Sequence, residues 1–315
     1  MAAKPRILVV SSANIDLVAR MRAIPRVGET VLEYNKYDYI PGGKGANSAL
    51  TMAKTGGDPI FCCKLGSDTH GAKLVSIYES SGINTRFVTA DKNERTGLAL
   101  VMVDQSADNR IVVYPGANYR LRPADVEDAF TCYPDALYLQ FEIPVDTVLA
   151  AADLAHRQGI PIIVDAGPGT RDFPLESLGP VEIFSPNEEE TYAYTGIRPS
   201  DQQSCLTACL ALEKRIRAKY YVLKLGERGV YLYDGTYYNI LSSYNVKEVD
   251  TTAAGDAFTG AMAVEYLRSY DIKRACEYGN IAGAITVSRE GAFPSIPSHE
   301  EIKKFADDSQ SGFTV

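Results

Sequence analysis

The sequence predicts an α/β fold, with a central, mostly parallel β-sheet flanked by helices and a small second β-sheet. Short apolar segments alternate along the chain with segments of helical periodicity, which is typical of parallel strands joined by helices. Two regions interrupt this alternation and carry only strand patterns. Chemically distinctive residues recur directly after the apolar segments. The apolar segments are residues 7–10, 60–65, 136–139, 160–164, 181–184 and 220–225.

The interrupting regions are residues 15–41 and 96–115, which predict a separate small sheet. Their strand patterns lie at residues 17–19, 30–34, 98–103 and 111–113. A chain of 315 residues is long enough for one large domain and a smaller one. We therefore expect a small β domain formed by these two regions and a core domain formed by residues 1–14, 42–95 and 116–315.

A polar residue or a glycine follows several of the predicted strands of the core. Ligands of open α/β sheets bind beyond the carboxyl ends of the strands. One shared cleft is therefore expected at that edge of the sheet. The residues that follow strands in this way are Asn14, Glu142, Asp165, Asn187 and Gly226.

The most informative segment is residues 250–256, which leads into an apolar helical pattern. Ala253, Ala254 and Gly255 are small enough for backbone N–H groups to approach a ligand, and a helix start favours negative charge. Asp256 lies in the same turn, where it could accept a proton from a hydroxyl. This combination suggests transfer of an anionic group to an alcohol. The alternative is an ordinary helix start in which Asp256 is only a favourable first-turn acid.

A second motif, Pro-Gly-Gly-Lys-Gly-Ala-Asn at residues 41–47, precedes another predicted helix. Its glycines indicate close backbone approach, and Lys44 and Asn47 supply polar groups. The order of a Walker A loop is absent, so a P-loop is not supported. A nicotinamide-dependent oxidoreductase would need G-x-G-x-x-G after the first strand, and residues 11–14 do not supply it.

Composition and charge argue against several other classes. The net charge of −8 is unsuited to binding nucleic acid. The sequence shows no membrane-length apolar segment and no signal peptide, which predicts a cytoplasmic protein. The six cysteines have no paired C-x-x-C spacing and predict reduced, mostly buried thiols. The three histidines are isolated in sequence, so a metal would be bound by oxygen atoms.

The motifs in order resemble the ribokinase family of carbohydrate kinases over nearly the whole chain. Asp256 matches the catalytic base of that family, with Ala253, Ala254 and Gly255 beside it. Asn14 and Asp16, beyond the first strand, resemble a sugar-binding pair, and Gly42, Gly43, Lys44 and Asn47 resemble a glycine-rich sugar loop. The resemblance assigns these residues to the sugar: Asn14, Asp16, Gly42, Gly43, Lys44, Asn47, Glu142 and Asp256.

The same resemblance implies an ATP site with Mg²⁺ and a monovalent cation, K⁺. Glu190 matches an Asn-x-x-Glu element that helps position magnesium, so its contact would be indirect. The nucleotide-binding residues would be Asn187, Lys224, Gly226, Gly229, Gly255 and Asn280. Potassium would bind mostly through carbonyls and hydroxyls near Asp250, Thr252, Thr286, Arg289, Gly291 and Ser295.

The resemblance implies a ribokinase-like fold in which the small sheet is a lid over the sugar. It also implies transfer of the γ-phosphoryl group of ATP to the primary 5-hydroxyl of D-ribose. In such relatives the lid pairs with the lid of a second subunit, which predicts a homodimer. The partners would then be a sugar and ATP, with neither nucleic acid nor membrane.

Two departures from the ribokinase pattern bear on the site. Asp165 lies where ribokinases usually have Asn-Pro-Ala-Pro, and we interpret it as a solvated strand-end residue or, alternatively, as an added metal or phosphate contact. Tyr114 either lines the sugar pocket or packs within the lid. A kinase for deoxyribose, another small sugar or a nucleoside would share the phosphate motifs, and a sugar-binding protein without catalysis is a further alternative.

Overall fold

The computed structural model describes residues 4–105 and 109–309, and these residues form two β-sheets flanked by helices. Residues 1–3 and 310–315 of the predicted core, and residues 106–108 of the predicted small domain, lie outside the described ranges. The strands are β1 (Arg6–Val10), β2 (Asn14–Arg20), β3 (Tyr37–Gly42), β4 (Asp58–Gly66), β5 (Asn84–Asp91), β6 (Gly97–Val103), β7 (Asn109–Tyr114), β8 (Ala136–Leu139), β9 (Ile162–Asp165), β10 (Val181–Ser185), β11 (Ala218–Lys224), β12 (Val230–Tyr233) and β13 (Tyr238–Leu241). The helices are α1 (Lys44–Lys54), α2 (Thr69–Ser80), α3 (Pro123–Glu127), α4 (Val145–Gln158), α5 (Glu188–Thr195), α6 (Gln202–Leu212), α7 (Ala254–Ser269), α8 (Ile272–Val287) and α9 (His299–Asp308).

The larger sheet has the strand order β13-β12-β11-β10-β9-β8-β1-β4-β5. From β5 to β11 every neighbouring pair is parallel, and β12 and β13 add an antiparallel edge. The predicted α/β class is therefore confirmed. All six apolar segments identified in the sequence lie on strands of this sheet, with boundaries that differ by one or two residues.

Apolar side chains cover both faces of this sheet. Along β1, Leu8 and Val10 belong to one buried cluster, whereas Ile7 and Val9 belong to another. Successive side chains of a strand point to opposite faces, so each face has its own core. Helices α4 and α6 contribute to the first cluster, and α1, α7 and α8 contribute to the second. This double burial explains why the strands appear in the sequence as continuous apolar runs.

The smaller sheet has the order β3-β2-β6-β7 and emerges at the carboxyl edge of the larger one. Strand β2 begins at Asn14, four residues after β1 ends, and Asn14 pairs in register with Gly42 of β3 and Gly97 of β6. The polypeptide that leaves the central strand therefore becomes a central strand of the small sheet. This connection places the first residues of β2 directly above the cleft.

The strand predicted at residues 30–34 is wrong, because the strand of this region is Tyr37–Gly42. Glu33 accepts hydrogen bonds from the backbone N–H groups of Arg22, Tyr34 and Asn35. Local bonds of this kind compete with a strand ladder. Apolar composition alone could not show that this side chain holds the segment in a loop.

The cysteines and the helix lengths of the described residues bear on the general class of the protein. The cysteines are free thiols, buried except for the half-buried Cys132, as expected from their spacing. Among residues 4–105 and 109–309, no helix combines the length and apolar character needed to cross a bilayer.

Candidate active site

The N-terminus of α7 forms one wall of a cavity of about 900 Å³. Ala253, just before the helix, has a left-handed backbone with φ of 64°, and no side chain caps the helix. A helix start leaves backbone N–H groups without partners inside the helix, so this turn favours an anion. All six predicted nucleotide-binding residues line the same cavity: Asn187, Lys224, Gly226, Gly229, Gly255 and Asn280.

Asp256 lies in the first turn of α7 and is 5% exposed. Its Oδ2 accepts a 2.8 Å hydrogen bond from Asn47 Nδ2, and its Oδ1 lies 3.8 Å from Lys44 Nζ. Both partners come from α1, which packs against α7. Burial raises the pKa of Asp256 to about 6, while Lys44 and Asn47 act in the opposite direction. The carboxyl group is thus ionised at neutral pH and basic enough to accept a proton from an alcohol.

Asp16 lies on β2 with its carboxylate against the glycine loop. A methyl group placed on Gly42 would overlap this carboxylate, so any other residue there would displace the Asp16 side chain. Asp16 Oδ1 and Asn47 Oδ1 are buried without a hydrogen-bond partner. Buried acceptors normally have partners, so these two atoms indicate a ligand that carries hydroxyl donors. Burial, followed by the charges of Glu142 and Asp256, raises the pKa of Asp16 to about 7.

Gly43, Asn14 and Glu142, which are also predicted to bind the sugar, lie near Asp16 and are held by neighbouring groups. Gly43 has φ of 88°, and a methyl group on it would lie 2.8 Å from the backbone nitrogen of Asn14. Asn14 Oδ1 accepts a 2.7 Å bond from Asn118 Nδ2, and Glu142 Oε2 accepts a 2.5 Å bond from Ser12 Oγ. Asn118 was not identified as a site residue. Its only signal in the sequence was its position after a Pro-Gly turn.

Asn187 and Glu190 form a reciprocal cap at the start of α5. Asn187 Oδ1 accepts from Glu190 N at 2.8 Å, and Glu190 Oε2 accepts from Asn187 N at 2.7 Å. The Glu190 side chain packs against Gly167 and Gly169, and the residue is 6% exposed. A buried carboxylate beside this cavity suits Mg²⁺, which is bound through few carboxylates and several waters. One oxygen serves the cap, which leaves the other for a metal ion or for a water bound to it.

Asp165 is buried, and its interpretation as a solvated residue is wrong. It is 1% exposed and forms an ion pair with Lys224. Gln140 Nε2 also donates to it at 2.8 Å, and Tyr138 OH at 3.3 Å. Strands β8, β9 and β11 bring these groups together, so no short sequence window contains the partners that keep Asp165 out of water.

Of the residues predicted to bind potassium, Asp250, Thr252 and Gly291 are joined by hydrogen bonds at the loop that precedes α7. Asp250 accepts bonds from the backbone N–H and hydroxyl of Thr252, at 2.9 and 2.6 Å, and from Gly291 N at 2.9 Å. Thr286 and Ser295 donate their hydroxyl hydrogens to nearby carbonyls, which leaves oxygen lone pairs for a cation. The side chain of Arg289 pairs with Glu301, so only its carbonyl fits a ligand role.

Tyr114 ends β7 and is 58% exposed. It lines a second groove, between the small sheet and α2, together with Tyr39 and His70. This groove is separate from the cavity at α7, whose lining does not include Tyr114. Tyr114 pairs with Leu98, which pairs with Ile15, so its side chain lies on the face of the small sheet opposite to that of Asp16.

Comparison with known proteins agrees with this geometry. A family model described as pfkB family carbohydrate kinase matches residues 4–299. The ribokinase of Haemophilus influenzae is 32% identical over 95% of this chain and 97% of that protein. The bifunctional ribokinase/ribose-5-phosphate isomerase A of Fructilactobacillus sanfranciscensis is 34% identical over 97% of this chain, which spans 57% of that longer protein. The structure of Arabidopsis thaliana ribokinase complexed with ribose and ATP aligns with a TM-score of 0.86 and 31% identity, over 96% of this chain and 98% of that one. This chain belongs to the pfkB family of carbohydrate kinases.

Proposed function

We propose that this protein is a ribokinase, which transfers the γ-phosphoryl group of ATP to the primary 5-hydroxyl of D-ribose and forms ribose 5-phosphate. The observation that carries the proposal is the position of Asp256. Its carboxylate lies between a pocket with unpartnered hydrogen-bond acceptors and the N-terminus of α7. A base between a hydroxyl pocket and an anion cradle is the arrangement that phosphoryl transfer to an alcohol requires.

In the proposed complex the sugar lies beneath the small sheet. Asp16 and Asn47 accept hydrogen bonds from its hydroxyl groups, since each has a buried oxygen without a partner. Asn14, Glu142, Lys44 and the backbone of Gly42 and Gly43 complete the pocket. Residues 15–41 and 96–115 act as a lid domain that excludes water, which would otherwise compete for the phosphoryl group.

The nucleotide lies in the cavity at α7, with its phosphates toward the helix. Asp256 removes the proton of the primary hydroxyl while the N–H groups of Ala254 and Gly255 stabilise negative charge on the transferred group. Lys44 lies beside Asp256 and adds positive charge. Glu190 would hold magnesium through water when ATP is bound, and the ion would neutralise phosphate charge.

Potassium is proposed to order the loop before α7. Asp250 joins Thr252 to Gly291, so a cation at this junction would fix the segment that leads into Ala253. The backbone of Ala253 is already left-handed, a conformation that non-glycine residues adopt at a cost. A bound cation would stabilise that conformation and hence the anion cradle.

A coupled ADP-release assay tests the proposed function. Purified protein is supplied with Mg-ATP, with and without KCl, and with D-ribose, 2-deoxyribose, fructose, arabinose and nucleosides. We expect the highest kcat/KM for D-ribose and higher activity with potassium than with sodium. Preference for another sugar would reassign the substrate, and the absence of turnover across the panel would support a binding protein instead.

The proposed enzyme is a homodimer joined through its lids. Support comes from apolar side chains that remain exposed on strand β7. The exposed fractions of Ile111, Val112 and Val113 are 53%, 43% and 48%. These side chains alternate between the two faces of β7, which is an edge strand, and exposed apolar side chains on a free strand edge commonly mark an interface. Sedimentation should give a dimer mass for the native protein and a monomer for Val112→Asp. A native protein that sediments as a monomer at micromolar concentration would contradict this proposal.

We also propose that the enzyme acts in the cytoplasm, where its buried cysteines would stay reduced. Cell fractionation should recover it with soluble metabolic enzymes. Recovery from an oxidising compartment, with its cysteines cross-linked, would contradict this location.

A further inference from the structure

A buried ion pair beside the anion cradle has no role in the mechanism described so far. The Asp165 carboxylate at the end of β9 pairs with the Lys224 ammonium at the end of β11, and their side chains are only 2% and 11% exposed. Removing two charges from water costs free energy that their attraction often does not recover. A gain in stability therefore does not account well for this ion pair. Its position beside the anion cradle points instead to a role in the reaction.

Asp165 is held by side chains from several strands. Besides Lys224, it accepts hydrogen bonds from Gln140 and Tyr138. Gln140 Oε1 is itself held by Ser11 Oγ at 2.7 Å, and Tyr138 OH bonds Ser48 Oγ at 2.9 Å. The carboxylate is thus held in one position and can fix the position of the Lys224 ammonium.

Lys224 reaches from this anchor to the cradle. Its Nζ lies 3.4 Å from Thr259 Oγ1, and a methyl group placed on Gly255 would lie 3.8 Å from that nitrogen. The side chain also lines the cavity at α7. A lysine has a flexible stem and could adopt many positions here. Asp165 selects the one beside the first turn of α7.

We propose that Asp165 is a positioning residue that holds the Lys224 ammonium at the N-terminus of α7, where it meets the transferred phosphoryl group and balances the charge of Asp256. This inference rests on the proposed phosphoryl transfer and concerns only its phosphate side. The conventional motif residues supply N–H donors and a base, and the pair would add a positive charge fixed in place. A charge already in position when the phosphate arrives avoids the cost of reorganisation.

The charges around Asp256 predict how each variant would act on the base. Lys44 from α1 and Lys224 from β11 favour its ionised form, as does the amide of Asn47, and Asp165 from β9 opposes it. Asp16 on the small sheet faces the same space, since the charge of Asp256 raises its pKa. Loss of the Asp165 charge should therefore lower the pKa of Asp256, and loss of the Lys224 charge should raise it.

Three variants test the proposal: Asp165→Asn, Lys224→Met and the double substitution. We expect the first to weaken Mg-ATP binding about tenfold, and the second at least as much, with sugar affinity within twofold of the native value. The acid limb of the pH profile of kcat should move to lower pH in Asp165→Asn and to higher pH in Lys224→Met. The double variant should resemble Lys224→Met in rate, because Asp165 acts through that lysine, and its acid limb should lie between the two.

Lys64→Met is the matched control, since Lys64 forms a partly buried ion pair with Asp125 at 2.8 Å, away from the cavity. It should leave the ATP parameters unchanged, and circular dichroism should show that all variants are folded. If Asp165→Asn does not fold, Lys224→Met and Lys224→Arg still test the charge and its position. A folded Asp165→Asn enzyme with native ATP parameters and an unshifted acid limb would overturn the proposal. It would also be overturned if the loss in the double variant equalled the product of the two single losses, because the two residues would then act independently.

Calorimetric titration with Mg-ATP separates this test from the test of function. It needs no sugar, so it remains valid if ribose proves to be the wrong substrate. Weaker binding by about tenfold in Asp165→Asn would then support the pair, and native affinity would refute it. Turnover of a different sugar would affect the substrate assignment alone.

Discussion

Asp256→Asn should lower kcat about 10²- to 10⁴-fold while sugar affinity stays within a few-fold of native. The amide has nearly the shape of the carboxylate and can keep a hydrogen bond with Asn47, so the pocket should persist. It cannot accept the proton of the attacking hydroxyl. Steady-state kinetics with ribose and ATP give kcat, and calorimetry gives the sugar dissociation constant.

Asp201→Asn is a suitable control for this variant, because Asp201 is an exposed acid that caps α6 away from the cavity. It should retain native kcat. An Asp256→Asn enzyme that works within fivefold of native would show that another group removes the proton. A large loss of sugar affinity together with kcat would instead indicate that Asp256 acts mainly in binding.

Asp16→Asn should raise the dissociation constant of the sugar about 100-fold, with a smaller effect on kcat at saturating sugar. Hydrogen bonds to a charged acceptor contribute about 1.5–3 kcal/mol each, and the amide loses the charge and one acceptor atom. The atom concerned, Oδ1, is buried and has no partner in the protein. Binding titrations of both proteins with ribose measure the effect.

The same residue should make sugar binding depend on pH. The pKa of Asp16 is about 7 without ligand, and only the ionised form accepts two hydroxyl donors. Protonation therefore competes with the sugar, so affinity falls as pH decreases. Between pH 8 and pH 6 the dissociation constant of the native protein should rise about tenfold, as expected for one competing proton.

The Asp16→Asn protein should lose this pH dependence. Calorimetry is preferable to kinetics here, because the pKa of Asp256, about 6, also affects the rate. A native dissociation constant that is the same at pH 6 and pH 8 would mean that Asp16 does not bind the sugar as an ionised group.

Much of the fold could be predicted because its signals are local. The central strands of the parallel sheet are buried on both faces and therefore appear as apolar runs, as at Arg6–Val10. The error at residues 30–34 has the same origin. Composition there favours a strand, but Glu33 binds three backbone N–H groups and holds a loop, a preference that depends on side-chain geometry.

By itself, the sequence determined the α/β class, the helix start at Asp256 and the glycine loop before α1, because propensity, periodicity and close backbone approach act within a few residues. Only the tertiary structure decided which charges meet. Asp165 and Lys224 are 59 positions apart in sequence. Asp16 lies on strand β2, whereas Asp256 lies on helix α7. Burial and charge pairing depend on how strands and helices assemble, so the ionisation of these carboxylates, and with it the chemistry of the site, follows from packing.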